Sequence, residues 1–185
     1  MNVGDASVPG INLVLVKADF ELPDTECWSF DASSPKRLSL PAWDDLPEPL
    51  VEIQADTFPD TGTVKVCVTP KVAVPSGQDL VGFAYDIEAR DSQGNLIVQD
   101  FNKSVRLIFY FDEATIPAGA DPADLIPAFY STARQEWTIL DNVYLDPEDW
   151  FVTGKINHFT QMGILSTHTS DNNIYLPLLL KAKEG

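Results

Sequence analysis

The sequence predicts an all-β protein, folded as an antiparallel β-sandwich, and three observations lead to that prediction. Apolar residues recur at every second position over long stretches, which is typical of half-buried antiparallel strands. No segment shows the i, i+3, i+4, i+7 spacing of an amphipathic helix, and 14 prolines leave little room for long helices. Turn residues recur about every 8–15 residues, a spacing that favours a sandwich over βαβ units.

The chain divides into three predicted regions within one domain's length of 185 residues. Residues 1–50 are expected to be an irregular N-terminal arm with one strand at 11–16. Residues 51–165 carry the clean alternation and are expected to form the sandwich. Residues 166–185 begin as a polar linker and end in a C-terminal tail whose last apolar run is Ile-Tyr-Leu-Pro-Leu-Leu-Leu-Lys at 174–181.

Each predicted strand of the central region, residues 51–165, has its own sequence pattern. The alternation is clearest at residues 64–68, 81–87 and 105–111, where valine, leucine, isoleucine, phenylalanine or tyrosine takes every second place. Further strands are predicted at 72–74, 125–130, 137–140, 143–145 and, as the closing strand, 156–165. Residues 91–95 (Asp-Ser-Gln-Gly-Asn) predict a hairpin loop with positive φ at Gly94 or Asn95. Residues 121–124 predict one short helical turn capped by Asp121.

The net negative charge of the chain argues against some classes of binding partner. Lys and Arg total 12 against 28 Asp and Glu, so the formal net charge is −16. Such an excess repels phosphate backbones and anionic bilayers, and therefore argues against nucleic-acid and acidic-membrane partners. No apolar run is long enough for a membrane-spanning helix, and the first residues do not resemble a signal peptide. The chain is thus cytosolic or a piece of a longer exported protein. Its scarcity of methionine and its aromatic-, Thr-, Asp- and Pro-rich β segments favour export to the cell surface or outside the cell.

Cys27 and Cys67 are the only two cysteines. No histidine or further cysteine lies at zinc-ligand spacing from them. If the chain is exported, a disulfide between them is expected, and it would stabilise the fold by about 3–4 kcal/mol in the chain-entropy account. The alternative is a pair of buried free thiols that behave as small apolar residues.

A family resemblance covers residues 51–165. The resemblance depends on four segments that follow one another in the chain. They are an alternating strand at 81–90, an aromatic strand at 103–110, Trp-Thr-Ile-Leu at 137–140, and His158-Phe159-Thr160 in a closing strand. This series resembles the β-sandwich modules of bacterial surface proteins that are related to the spectrin-binding domain of ankyrins and the juxtamembrane domain of netrin receptors. The tail at 175–181 resembles a short C-terminal signature of exported proteins from some filamentous bacteria. An edge strand protected by Pro177 is the alternative reading of that tail.

The resemblance also implies one possible reaction. In related self-cleaving domains, a His, an apolar residue and a Ser or Thr mark an autoproteolytic site. The Thr160 hydroxyl would attack the Phe159 carbonyl to give an ester by an N-to-O acyl shift, and water would then hydrolyse the ester. His158 would act as general base or polarise the scissile amide, and strain in that peptide would lower the barrier. The alternative gives all three residues structural roles, with His158 and Thr160 as strand residues and Phe159 in the core.

Two weaker binding hypotheses remain. Acidic clusters at Asp44, Asp45 and Glu48 and at Asp146, Glu148 and Asp149, with Asp91 beside a turn, have the oxygen ligands that calcium takes, but they lack the Asp-x-Asp-x-Asp-Gly spacing. Several aromatics would suit a glycan-binding platform or would fill the core: Trp28, Phe30, Trp43, Trp137 and Trp150.

The sequence therefore predicts a non-enzymatic structural or adhesion module of an exported bacterial protein that requires no cofactor. Its expected partners are other domains or subunits at the cell surface. Self-cleavage between Phe159 and Thr160 is the first alternative, and calcium- or carbohydrate-dependent binding is the second.

Overall fold

The computed structural model describes residues 22–42, 45–59, 62–72, 79–117 and 119–167. Within these ranges the chain forms two antiparallel sheets that pack face to face, and the predicted β-sandwich is confirmed. The six-stranded sheet has the order β1-β4-β5-β11-β7-β8, and the five-stranded sheet has the order β2-β3-β6-β10-β9. The strands are β1 (Glu26–Asp31), β2 (Lys36–Ser39), β3 (Leu50–Ile53), β4 (Thr63–Lys71), β5 (Asp79–Arg90), β6 (Val105–Tyr110), β7 (Leu125–Ser131), β8 (Glu136–Ile139), β9 (Asp141–Asp146), β10 (Phe151–Ile156) and β11 (Gln161–Ser166).

The two-residue period directs one face of each strand into the core. Val64, Val66 and Val68 of β4 are at most 1% exposed, because alternate side chains of a strand point to the same face of the sheet. The same alternation buries Leu107 and Phe109 of β6 in the opposite sheet. Each apolar side chain removed from water in this way contributes about 1.5–3 kcal/mol.

Aromatic contacts join the two sheets across the core. The ring of Tyr85 on β5 stacks on that of Phe109 on β6, with centroids 6.1 Å apart. The Tyr85 hydroxyl donates a hydrogen bond to the carbonyl of Pro41, 2.7 Å away. Burial raises the pKa of Tyr85, so the phenol stays protonated and keeps donating to this carbonyl.

Four strands were not predicted: β1, β2, β3 and β10. β1 and β2 lie within the stretch expected to be an irregular arm, yet β1 pairs with β4 and β2 pairs with β3. The sandwich therefore extends N-terminally beyond the predicted boundary at residue 51. β1 and β2 are the edge strands of their sheets, and at this edge the chain passes from one sheet to the other.

The opposite edge is formed in the same way. β8 ends the six-stranded sheet, β9 ends the five-stranded sheet, and only Leu140 separates them in the chain. Leu140 is 4% exposed, so the corner between the sheets is closed by a buried apolar side chain.

The predicted turns are confirmed. Gly94 has φ +86°, and the Asp91 amide donates to the Asn95 carbonyl across the loop. Among the described residues, the stretch that follows this loop makes one isolated bridge, Arg90 with Leu96. The next strand, β6, joins the other sheet, so the loop does not connect two paired strands as a hairpin would. Residues Pro122–Asp124 form a single 3₁₀ turn, and the Asp121 side chain accepts a hydrogen bond from the Ala123 amide.

Several predictions fall outside the described residues: the strand at 11–16, the side chains of Trp43 and Asp44, most of the strand at 72–74, and the tail at 174–181. No helix in the described ranges has the length and apolar character needed to cross a membrane.

Candidate functional site

The His158-Phe159-Thr160 segment lies between the two sheets. β10 ends at Ile156 in the five-stranded sheet, and β11 begins at Gln161 in the six-stranded sheet. The prediction of one continuous closing strand over 156–165 is therefore wrong, because the chain leaves one sheet and enters the other over the four residues 157–160. His158 and Thr160 are crossover residues rather than strand residues.

Phe159 anchors the crossover in the core. Its ring packs edge to face against Phe101, with centroids 4.9 Å apart, and against Phe58 at 6.2 Å. The Phe101 amide donates a 2.6 Å hydrogen bond to the carbonyl of Asn157, just before the segment. The crossover is thus held by an aromatic cluster and by backbone hydrogen bonding.

The two polar side chains of the segment have separate partners. The Thr160 hydroxyl donates to the carbonyl of Tyr130 on β7, 3.0 Å away, and the Thr160 carbonyl accepts from the Ile87 amide at 3.2 Å. His158 Nδ1 lies 3.1 Å from Asn157 Oδ1, and the imidazole packs edge to face on Phe129 at 5.0 Å.

This geometry bears on the acyl-shift chemistry. The reaction needs a base that removes the Thr160 proton while the oxygen attacks the Phe159 carbonyl. Here the proton points to a peptide carbonyl, which is a very weak base. Residues 157–160 also have no left-handed φ in which backbone strain would be stored. The described contacts give Thr160 a structural role, and self-cleavage stays a prediction.

The predicted disulfide is confirmed. Cys27 on β1 lies directly opposite Cys67 on β4 in the antiparallel register, and the two side chains are bonded. Their Cα atoms are 4.1 Å apart. The bridge fastens an edge strand to the interior of its sheet, and the alternative of two free thiols is wrong.

Asp91 and Asp146 each close a turn, whereas Asp44 of the other predicted acidic cluster lies outside the described residues. The Asp91 carboxylate accepts hydrogen bonds from the Asn95 side chain and from the Asn95 and Gln93 backbone amides. These bonds, that of the Asn95 side chain above all, lower the pKa of Asp91. Asp146 accepts from the Glu148 and Asp149 amides and from the Tyr144 hydroxyl, and it too has a lowered pKa. Among the described residues, no group of three or more His, Cys, Asp or Glu is placed to hold a metal ion.

The predicted aromatic candidates have different surroundings. Trp28 and Phe30 pack half-buried against the main core. Trp137 packs against a second apolar cluster formed by Leu80, Ala84, Ala128 and Leu165. Trp150 is 36% exposed and lines an open depression of about 530 Å³ with Asp112, Glu113 and Ala114.

The combination of Trp150 with Asp112 and Glu113 was missed at the sequence level. The residues are far apart in the chain, and they meet because the turn before β10 lies beside the segment after β6. Pairing of β6 with β10 brings them together. No local sequence signal reports that pairing.

Fold and contacts together define the class as a disulfide-bridged antiparallel β-sandwich. Comparisons of the chain with protein-family models, curated proteins and solved structures give no match.

Proposed function

We propose that this chain is a non-enzymatic structural and adhesion module of an exported bacterial protein, placed outside the cell or at its surface. The observation that carries the proposal is the bond between Cys27 and Cys67. Structural disulfides persist in oxidising compartments and are rare in the cytosol, where thiols are kept reduced.

The position of the bridge supports a structural role. An edge strand leaves backbone donors and acceptors unpaired on one side, so it is the part of a sheet most open to local unfolding and to unwanted pairing. The bridge holds β1 covalently to β4 at its second residue. That attachment suits a module that works outside the cell, away from chaperones and reductants.

The resemblance of residues 51–165 to bacterial surface modules adds a second, weaker support. The partners proposed on that basis are neighbouring domains or subunits at the cell surface. The charge of −16 is consistent with partners that are not nucleic acids.

Surface labelling of intact source cells tests the proposal. We expect a membrane-impermeant amine reagent to label the chain, and externally added protease to remove it, while a cytoplasmic marker protein stays unlabelled and intact. The proposal fails if the chain resists both reagents in intact cells and becomes accessible only after lysis, together with the cytoplasmic marker.

A further inference from the structure

We propose that the depression lined by Trp150, Asp112 and Glu113, here called the Trp150 site, binds an arginine side chain of a partner polypeptide. This inference deepens the proposed adhesion role. It rests on that role for one point, namely that the partner is an extracellular protein. Three features support the inference: an exposed indole, two carboxylates outside the ion pairs of the described residues, and the negative charge around them.

The indole is held in place at the surface. The Trp150 ring packs edge to face on Phe111, with centroids 5.6 Å apart, and Phe111 is only 1% exposed. The Phe111 amide donates to the Trp150 carbonyl at 3.0 Å, which fixes the backbone beside the end of β6. The Trp150 indole is therefore about one-third exposed to solvent and is held in place by Phe111 and by the backbone at the end of β6.

The carboxylates beside the ring have capacity for a cation. Ion pairs among the described residues use Glu52, Glu88 and Glu136, whereas Asp112 and Glu113 take part in none of them. Asp112 Oδ1 accepts from the Thr115 amide at 2.8 Å, so this carboxylate is positioned by its own turn. Glu113 is exposed at the rim.

The charge around the site is negative. Glu148 and Asp149 lie in the turn directly before Trp150, and both are exposed. Together with Asp146, they raise the pKa of the neighbouring Tyr144, chiefly through the Asp146 hydrogen bond and then through their negative charges. A cationic ligand is complementary to this surface, whereas a neutral glycan gains nothing from its charge.

Arginine fits better than other cations. Its planar guanidinium stacks on an aromatic face and presents several donors to neighbouring carboxylates, which the ammonium group of lysine cannot do in the same geometry. Cation–π attraction is strongest with tryptophan. The site therefore selects a guanidinium by shape as well as by charge.

The test is a titration of the intact protein, followed through its indole N–H signals by NMR. The probes are a Gly-Ser peptide carrying two arginines, the same peptide with two lysines, the same peptide with two glutamates, and a neutral hexasaccharide. Trp150→Asn identifies the Trp150 signal among the four tryptophans and keeps a residue that tolerates the left-handed φ of +55°.

Matched charge variants separate a local site from general attraction to an acidic protein. Glu113→Gln removes one charge at the site, and Glu26→Gln removes one charge from the exposed edge strand β1. We expect the arginine peptide to shift the Trp150 signal, and to bind about threefold or more tighter than the lysine peptide, as an added stacking contact implies. Glu113→Gln should weaken binding by about threefold or more, and Glu26→Gln should leave it within about 1.5-fold.

Three results would overturn the inference: no shift of the Trp150 signal with the arginine peptide, equal weakening by Glu113→Gln and Glu26→Gln, or a shift caused by the hexasaccharide instead. Each of these leaves the surface-labelling result untouched, so failure of this site is distinguishable from failure of the proposed function.

Discussion

Gly154 shows at the scale of one residue how the lateral corner of the sandwich is closed. It lies on β10, and a Cβ atom built at this position would be 2.6 Å from Cβ of Leu140. Non-bonded carbon atoms do not approach so closely. The absence of a side chain at 154 therefore lets the Leu140 side chain point inward between β8 and β9. The glycine is needed here for space, since its φ is not in the left-handed region.

We therefore expect Gly154→Ala to lower the free energy of unfolding by about 1–3 kcal/mol, the usual cost of overpacking a core. Leu140→Gly, which also removes the Cβ atom that a side chain at 154 would meet, should by itself cost at least the about 2–5 kcal/mol of a cavity left by a truncated leucine. Urea denaturation of both single variants and of the double variant measures the coupling between the two sites. The double variant should cost less than the sum of the two. Additive costs would contradict the proposed contact.

Thr160 gives a second residue-scale prediction. Thr160→Val keeps the shape of the side chain but removes the hydroxyl that donates to the Tyr130 carbonyl. We expect a loss of about 0.5–1.5 kcal/mol in the free energy of unfolding, measured by urea denaturation.

Intact-mass spectrometry after prolonged incubation separates this structural role from self-cleavage. We expect a single mass for the full chain of 185 residues. Fragments 1–159 and 160–185 in the wild type, absent in Thr160→Val, would show that the hydroxyl acts as a nucleophile.

At the scale of the element, carboxylates at the turns set the response to acid. Asp31, Asp91 and Asp146 each accept hydrogen bonds from neighbouring groups, and each has a pKa below the ordinary value of 3.8. A carboxylate with a lowered folded pKa contributes stability at pH values above its unfolded pKa. That contribution is lost as the pH falls through the folded value.

Asp91→Asn tests this relation at the hairpin loop. The variant should be less stable than the wild type at pH 7, because it loses the charge-assisted acceptor for the Asn95 side chain. The difference should shrink as the pH falls below 3.8, where the wild-type carboxylate also becomes protonated. Urea midpoints measured from pH 7 to pH 2.5 check the trend. A difference that stays constant over this range would contradict it.

The bridge between β1 and β4 gives the second prediction at this scale. Replacing both Cys27 and Cys67 by serine should lower the free energy of unfolding by about 2–4 kcal/mol, since the unfolded chain regains the freedom that the bridge removed. Ser29→Ala on the same exposed strand serves as the control and should change stability by less than about 0.5 kcal/mol. An unchanged urea midpoint in the double serine variant would contradict a stabilising bridge.

At the scale of the whole molecule, alternation in the sequence predicted most of the interior. Val64, Val66 and Val68 reveal their buried face directly, because the side-chain period of a strand is two residues. Alternation is a weak signal in β2, which has only four residues. It also cannot report which sheet a strand joins. The reading of 156–165 as one strand was wrong because the backbone changes sheet there, and Phe159 is out of phase with the alternation of Ile156 and Met162.

One candidate site could be predicted from the sequence, and another could not. The pairing of Cys27 with Cys67 was predictable because the chain has only two cysteines. The meeting of Trp150 with Asp112 and Glu113 was not, because it depends on strand order across the five-stranded sheet. Strand order is set by the packing of the entire core rather than by any local pattern.

The central claim is that this disulfide-bridged sandwich belongs to an exported protein, and the redox state of the native chain tests it most directly. Source cells are lysed in the presence of an alkylating reagent that blocks free thiols, and peptides containing Cys27 and Cys67 are then analysed by mass spectrometry. We expect the two peptides to remain linked until a reductant is added. Recovery of both cysteines in alkylated form before reduction would contradict the account.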